Sequence, residues 1–214
     1  MFVGYHMKYQ LAHLLTPIFT FPFLLIWRLL GWKIETPFPD QDKVILTAAP
    51  HTSNWDYYHV LMAASNLNRK PFATVKDSLF VGPLGWILRL FGGIPINRSK
   101  SSNMVQQLSS WISKEDRMLL LFTPEGTRNK SPHWRTGFYY VALEANVPVV
   151  CAYIDYRRKR IGFSEAILMT GDIEADFEKI FSVYGQYGYP LYPEKWTPLQ
   201  LNPDKKSELV PKAS

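Results

Sequence analysis

The chain has 214 residues, enough for one domain with a sizeable core. Its net charge is +6 and 15% of its residues are aromatic, which suits an anionic membrane surface. The basic residues are scattered and no nucleic-acid-binding signature is present, so nucleic acid is not expected as a partner. Cys151 is the single cysteine, so no intrachain disulfide can form, which fits a reducing compartment. It lies in an apolar run and is expected to be a buried, small apolar side chain.

The N-terminal segment, residues 1–36, contains a long apolar stretch. A membrane-spanning helix needs about 20 apolar residues, and Pro17 and Pro22 interrupt this stretch. We therefore expect a kinked helix or helix pair in the membrane interface, with Trp27 and Trp32 at the level of the lipid headgroups. The alternative is a helix buried in the core, because many apolar helices belong to the core.

Residues 37–190 are predicted to form the catalytic domain, and its first elements are a buried strand at 44–48 and a helix at 55–67. His51 lies between the two, and Asp56 lies in the first turn of the helix. A carboxylate bonded to one imidazole nitrogen fixes the tautomer and raises the basicity of the other nitrogen. His51 is therefore a candidate general base, with a purely structural polar pair as the alternative.

The remaining pattern alternates apolar runs with segments of helical spacing, which is typical of an α/β fold with a mixed, largely parallel sheet flanked by helices. Further strands are predicted at 72–75, 118–122, 147–154 and 166–169, and further helices at 99–113, 137–146 and 173–183. The apolar segment 79–91 fits either the core or the wall of a groove for an alkyl chain. Residues 191–214 are predicted to form an irregular tail.

Polar side chains follow several of these strands. Lys76 ends the second strand, and Arg98 stands beside a predicted helix N-terminus, where unpaired N–H groups and the helix dipole favour an anion. The strand at 118–122 leads into a turn with a carboxylate, a glycine, a hydroxyl and a guanidinium, at Glu125, Gly126, Thr127 and Arg128. A salt-bridged surface turn is the alternative interpretation of the last group.

These motifs, in this order, resemble the glycerolipid acyltransferase family, typified by the 1-acylglycerol-3-phosphate acyltransferases. The matching blocks are a His with an Asp five residues later (His51 and Asp56), a short strand ending in Arg (93–98), Pro-Glu-Gly-Thr-Arg (124–128) and an apolar strand with proline (147–150). The resemblance extends over roughly residues 44–154. One short motif is a weak signal, whereas four in order with sensible spacing are a strong one.

The resemblance implies that the chain moves a fatty acyl group from acyl-CoA or acyl-carrier protein to a lipid hydroxyl. The expected acceptor is 1-acyl-sn-glycerol-3-phosphate, and the expected product is phosphatidate. In this interpretation His51 is the general base, Asp56 orients it, and backbone N–H groups after His51 stabilise the oxyanion. The residues expected to surround the acceptor headgroup are Lys76, Arg98, Glu125, Gly126, Thr127 and Arg128. No metal and no further cofactor are expected.

Other functions remain open at this stage. The same His/Asp pair could acylate a different lysolipid or lipid headgroup, or activate water in a thioesterase or other hydrolase. A catalytically silent membrane-binding protein is a third possibility. In each case membrane lipids are the expected partners, with peripheral or monotopic attachment on the cytoplasmic face.

Overall fold

The computed structural model describes residues 20–67, 69, 71–90, 92–96 and 104–202. The strands are β1 (Lys33–Ile34), β2 (Lys43–Ala49), β3 (Pro71–Lys76), β4 (Gly93–Ile96), β5 (Met118–Phe122), β6 (Val149–Asp155) and β7 (Arg160–Phe163). The helices are α1 (20–29), α2 (Trp55–Asn66), α3 (Gly82–Leu90), α4 (Met104–Lys114), α5 (Gly137–Ala145) and α6 (Ile173–Gln186). Within these ranges, 3₁₀ helices lie at Asp77–Leu79 and Pro193–Lys195.

The seven strands form one sheet in the order β1-β7-β6-β2-β5-β3-β4. All neighbours are parallel except β6 and β7, which form an antiparallel hairpin. This is the mixed, largely parallel α/β architecture that the sequence predicts. The carboxyl ends of β2, β3, β4, β5 and β6 therefore lie along one edge of the sheet, which is where parallel sheets usually bind ligands.

The central strands are mostly apolar because helices cover both faces of the sheet. Every residue of β6 is buried, and so is every residue of β2 except Lys43. One face packs against α4, α5 and α6, through buried side chains such as Leu108, Phe138 and Phe177. We call this the closed face.

The other face packs against α1 and α2 through Trp27, Val60 and Met62, among others. Helix α3 covers the same face. Successive residues of a strand point to opposite faces, and Ile94 belongs to the core of the closed face, so the adjacent Gly93, which α3 contacts, lies on the other face. A side chain at Gly93 would lie 2.8 Å from the carbonyl oxygen of Leu88 in α3, so only glycine permits this approach. We call the α1–α2–α3 side the open face.

Large apolar side chains are exposed on the open face. On and beside α1 they are Phe21, Phe23, Leu25, Ile26, Leu29 and Leu30, and on and beside α3 they are Leu79, Val81, Leu84, Trp86 and Ile87. The segment 79–91 therefore presents side chains to the outside, at least over residues 79–87, instead of filling the core. None of the helices in the described ranges has the length and apolar content that crossing a bilayer requires.

Two expectations for the N-terminal segment were wrong. Trp27 and Trp32 are only 1% and 7% exposed, so they lie in the core and not at headgroup level. Trp27 donates a hydrogen bond from Nε1 to Nδ1 of His59 at 2.9 Å, and Trp32 stacks on the same imidazole. His59 of α2 therefore contacts both tryptophans inside the core. The part of the predicted membrane segment before residue 20 lies outside the described residues.

Two further details differ from the sequence-based expectations. The strand predicted at 166–169 is reduced to a single bridge between Ile167 and Val149. β1 lies within the segment 1–36 but pairs with β7, so that segment contributes an edge strand to the sheet. After α6, the chain crosses the end of β6 in irregular conformation, with a bridge between Asp155 and Tyr189.

Candidate active site

His51 and Asp56 lie where β2 ends and α2 begins, at the carboxyl edge of the sheet. Nδ1 of His51 is 3.1 Å from Oδ2 of Asp56, and their side chains are 17% and 3% exposed. Since an ionised carboxylate only accepts hydrogen bonds, the Nδ1 proton is donated to Asp56 and Nε2 is left with its lone pair. This is the arrangement that a general base needs.

The Asp56 carboxylate is held by several donors. Its Oδ2 accepts hydrogen bonds from the backbone N–H groups of Thr52, at 2.7 Å, and Ser53, at 2.8 Å, in addition to the imidazole. Its Oδ1 accepts a 2.6 Å hydrogen bond from the hydroxyl of Tyr156, which follows β6. These charge-assisted bonds stabilise the carboxylate and fix its orientation towards His51.

Backbone N–H groups around His51 that could stabilise an oxyanion already donate to other acceptors. The amide of His51 is donated to Glu125, those of Thr52 and Ser53 to Asp56, and that of Trp55 to the Ser53 hydroxyl. The expectation that backbone N–H groups near the helix following His51 stabilise the oxyanion is therefore wrong for these four groups. The carboxylate of Asp56 accepts from the amides of Thr52 and Ser53 because it folds back towards the loop that precedes its own helix.

Glu125 lies beneath His51 and is fully buried. Its Oε1 accepts a 2.6 Å hydrogen bond from the backbone N–H of His51. Within the described residues, no donor reaches its Oε2 with normal hydrogen-bond geometry, although Thr197 of the C-terminal segment faces the carboxyl group. Burial raises the pKa of Glu125 to about 7, against the opposing effect of the hydrogen bond from His51.

This position corrects the role expected of Glu125. We predicted that Glu125 surrounds the acceptor headgroup, but a carboxyl group without exposed surface supports the backbone of His51 instead. The strand order explains the geometry, because β5 lies next to β2 and the turns after both strands meet.

The rest of the 124–128 turn is closer to solvent. Gly126 has a φ of 68°, and a side chain there would collide with the side chain of Arg135. Thr127 accepts a hydrogen bond on its hydroxyl from the Asn129 amide, at 3.2 Å. The exposed guanidinium of Arg128 donates to the side-chain oxygen of Asn54, the residue that precedes α2. Arg128 is thereby held beside the His51–Asp56 motif.

Of the two other predicted headgroup residues, only one is described. Lys76 is exposed at the carboxyl end of β3. Since β5 separates β3 from β2, Lys76 is about 10 Å along the sheet edge from the end of β2. Arg98 lies outside the described residues, two positions after the end of β4.

Sequence reasoning missed several neighbours of the motif. The position of Tyr156, directly after an apolar strand parallel to β2, indicates that it lies at the same edge of the sheet as His51. The sequence does not indicate that its hydroxyl points towards Asp56. The buried His59 accepts a hydrogen bond from Trp27, and burial lowers its pKa to about 4, so its imidazole is neutral near pH 7. Arg135 and Thr197 approach the motif only through folding of distant segments.

Comparisons with known proteins agree with this geometry. A family model described as Acyltransferase matches residues 33–155, more than half of the chain. Over 113 residues, or 50% of this chain and 42% of the relative, the chain is 30% identical to the 1-acyl-sn-glycerol-3-phosphate acyltransferase of Streptococcus pneumoniae. Over 135 residues, or 58% of this chain and 55% of the relative, it is 28% identical to the protein of that name from Haemophilus influenzae. The matched stretches thus span about half the length of these relatives.

The fold is also similar to a solved structure. The crystal structure of the 1-acyl-sn-glycerophosphate acyltransferase from Thermotoga maritima superposes with a TM-score of 0.54 at 13% sequence identity. The superposition covers 86% of this chain and 93% of that one. At this identity the likeness concerns the α/β fold.

Proposed function

The chain belongs to the acyltransferase family, and we propose that it transfers a fatty acyl group from a thioester to a lipid hydroxyl. The proposed acceptor is 1-acyl-sn-glycerol-3-phosphate and the product is phosphatidate, a step of phospholipid synthesis. Two relatives carry the name of this activity. The proposed donor is acyl-CoA or acyl-carrier protein, with no metal or other cofactor.

The observation that carries the proposal is the His51–Asp56 pair. With Nδ1 bonded to a buried carboxylate at 3.1 Å, the lone pair of Nε2 is available to the acceptor hydroxyl. As the hydroxyl oxygen attacks the thioester carbonyl carbon, Nε2 takes the proton and Asp56 stabilises the imidazolium. The carbon–sulfur bond then breaks, and the departing thiolate recovers the proton from His51.

No covalent acyl-enzyme is part of this mechanism. Cys151 is fully buried in β6, and burial raises the pKa of its thiol to about 11, so it is a core side chain without nucleophilic character. His51 therefore acts on the acceptor hydroxyl directly.

The acceptor's phosphate is proposed to bind along the sheet edge. Arg128 is held beside the His51–Asp56 motif by Asn54, and Lys76 ends a strand of the same edge. A guanidinium can bind two phosphate oxygens at once, whereas Lys acts as a point charge. Arg98 and the Gly126–Thr127 backbone complete the proposed headgroup site, while Glu125 supports it from below.

The enzyme is proposed to work at a membrane surface, peripherally or monotopically on the cytoplasmic face. The supporting observation is the open face, where side chains such as Leu29 and Trp86 are 78% and 60% exposed. Large apolar side chains that stay exposed on both α1 and α3 indicate a partner outside the chain. Extracting a lipid acceptor into water costs about 0.8 kcal/mol per CH₂, a cost that an interfacial enzyme avoids by leaving the acyl chain in the bilayer.

Product analysis tests this function. The purified protein is incubated with isotopically labelled acyl-CoA or acyl-carrier protein and lysophosphatidate in mixed vesicles, and the lipids are identified by mass spectrometry. We expect labelled phosphatidate with the wild type and with His133→Ala, but not with His51→Ala. Free fatty acid without acceptor acylation would identify a thioesterase instead, and an inert wild type with either donor would contradict the proposal.

A further inference from the structure

We propose that Tyr156 is a positioning residue for the His51–Asp56 pair, holding the Asp56 carboxylate in the plane in which it meets the imidazole. This inference deepens the proposed function and rests on it. Tyr156 is outside the four motifs of the sequence and one residue beyond the stretch that the family model matches.

The donors around Asp56 are divided between its two carboxylate oxygens. Oδ2 accepts the bonds from His51 and from the amides of Thr52 and Ser53, whereas Oδ1 accepts the bond from Tyr156 at 2.6 Å. A carboxylate rotates readily about its last side-chain torsion, because that torsion is broad. The hydroxyl of Tyr156 occupies the second oxygen and so opposes this rotation.

The phenol of Tyr156 is itself held in place. Its ring meets the ring of Trp32 edge-on, at 5.4 Å and 90°, and that of His59, at 5.2 Å and 84°. Trp32 and His59 stack on each other at 3.8 Å, and the backbone N–H of Tyr156 donates to the Tyr189 carbonyl at 3.0 Å. Removing only the hydroxyl would leave these contacts in place.

The charge state of Tyr156 also suits this role. Burial and the bond to Asp56 raise the pKa of Tyr156, so its phenol remains a neutral donor when Asp56 is ionised. The titratable groups that face His51, Asp56 and Tyr156 are Glu125 from the turn after β5, His59 from α2 and Tyr192 from the C-terminal segment. Burial raises the pKa of Glu125 to about 7, and this carboxyl group is the same in the wild type and in both tyrosine variants. His59 is neutral near pH 7, so it adds no second cation beside Asp56.

A hydroxyl that donates to Asp56 also draws negative charge away from it. Without this bond, more charge remains on the carboxylate, which then favours the imidazolium form of His51 more strongly. Since a general base must be neutral, the acid limb of the kcat/KM profile should move to higher pH in Tyr156→Phe. A change that merely loosened the fold would not move that limb.

The test compares Tyr156→Phe with Tyr153→Phe. Tyr153 is also a buried phenol on β6, and its hydroxyl donates to Glu35 at 3.4 Å, away from Asp56. We expect Tyr156→Phe to lower kcat about 10- to 100-fold, the size of a lost hydrogen bond to a charged group, with KM for both substrates nearly unchanged. Tyr153→Phe should keep the wild-type kcat and acid limb.

Equal kinetics and equal acid limbs in the two variants would overturn the inference, and so would equal losses, which would indicate a structural effect. A second readout does not depend on turnover. The low-field proton resonance of the His51–Asp56 hydrogen bond, assigned by its absence in His51→Ala, should change in Tyr156→Phe and persist in Tyr153→Phe. If the wild type transferred no acyl group, the proposed function would fail, and this resonance would still decide for or against Tyr156.

Discussion

The catalytic corner and the open face differ in almost every physical respect. The catalytic corner, which we define as His51, Asp56, Glu125 and Tyr156, consists of polar groups that are buried or half-buried and bonded to one another or to nearby backbone. The open face carries large apolar side chains on α1 and α3 that remain exposed. One region provides its own partners, and the other presents a surface for a partner outside the chain.

This difference separates two tasks of an interfacial enzyme. Buried polar groups can orient a proton acceptor because little water competes for their hydrogen bonds. Exposed apolar side chains are unfavourable in water and favourable in a lipid surface, so in the proposed function they place the corner next to its lipid substrates. If this division is correct, each task should be removable without the other.

The largest expected effect comes from removing the base. His51→Ala should lower kcat by about 10²–10⁴-fold, because general-base catalysis contributes that much, while vesicle binding stays at the wild-type level. The measurements are steady-state kinetics and cosedimentation with anionic vesicles. His133→Ala, a histidine in a loop elsewhere, is the control and should keep both properties. Near wild-type turnover in His51→Ala would refute the role of the dyad.

The next effect concerns Glu125, whose Oε2 is the weakly satisfied atom of the corner. The pKa of Glu125 is raised from 4.5 to about 7 in the folded protein, so its protonated form stabilises the fold. This contribution to the free energy of unfolding is fully present below about pH 4.5 and is lost as pH rises through 7. Glu125→Gln removes this titration and keeps an acceptor for the His51 amide. Between pH 4 and pH 8, the free energy of unfolding of the variant should therefore increase by about 3 kcal/mol relative to that of the wild type.

Denaturant unfolding of the two proteins across this pH range measures the difference. The pKa of His59 is lowered, so its contribution to the free energy of unfolding decreases as pH falls below 6.5. Both proteins contain His59, so this contribution cancels in the comparison. Glu165→Gln, at an exposed position, serves as control and should show no such pH dependence. Parallel curves for wild type and Glu125→Gln would show that Glu125 is not titrating in this range.

A smaller effect is expected at the junction between the corner and the lipid headgroup. Arg128→Ala should lower kcat/KM for lysophosphatidate about 10- to 100-fold, because a charge-assisted bond to phosphate is lost. For a neutral acceptor such as monoacylglycerol the loss should be much smaller, as the kinetics of both acceptors will show. Lys130→Ala, an exposed cation in the same loop, is the control. An equal loss for both acceptors would argue against a phosphate contact.

The smallest effect is expected from the open face. The double variant Leu29→Gln, Trp86→Gln should weaken vesicle binding by roughly tenfold. The effect is modest because each wild-type side chain inserts only part of its apolar area into the lipid surface. Turnover of a short-chain, water-soluble acceptor should remain unchanged. Leu168→Gln removes a side chain of similar exposure that belongs to neither α1 nor α3, and should bind vesicles normally. Unaltered vesicle binding by the double variant would remove the open face from the membrane model.

What the sequence determined by itself was local. His51 and Asp56 are five residues apart, so a strand end followed by a helical turn brings them together whatever the rest of the chain does. The central strands β2, β5 and β6 are recognisable because strands covered on both faces form nearly continuous apolar runs. Hence the fold class and the dyad followed from short-range pattern alone.

Tertiary structure decided which distant groups meet the dyad and which apolar surfaces are covered. Tyr156 reaches Asp56 from 100 residues away because β6 runs beside β2, and Glu125 reaches His51 because β5 lies on the other side. Periodicity identifies an apolar face but not what covers it. For that reason Trp27 was expected at the surface and is in the core, whereas Trp86, in a stretch that suited core or groove equally, is exposed.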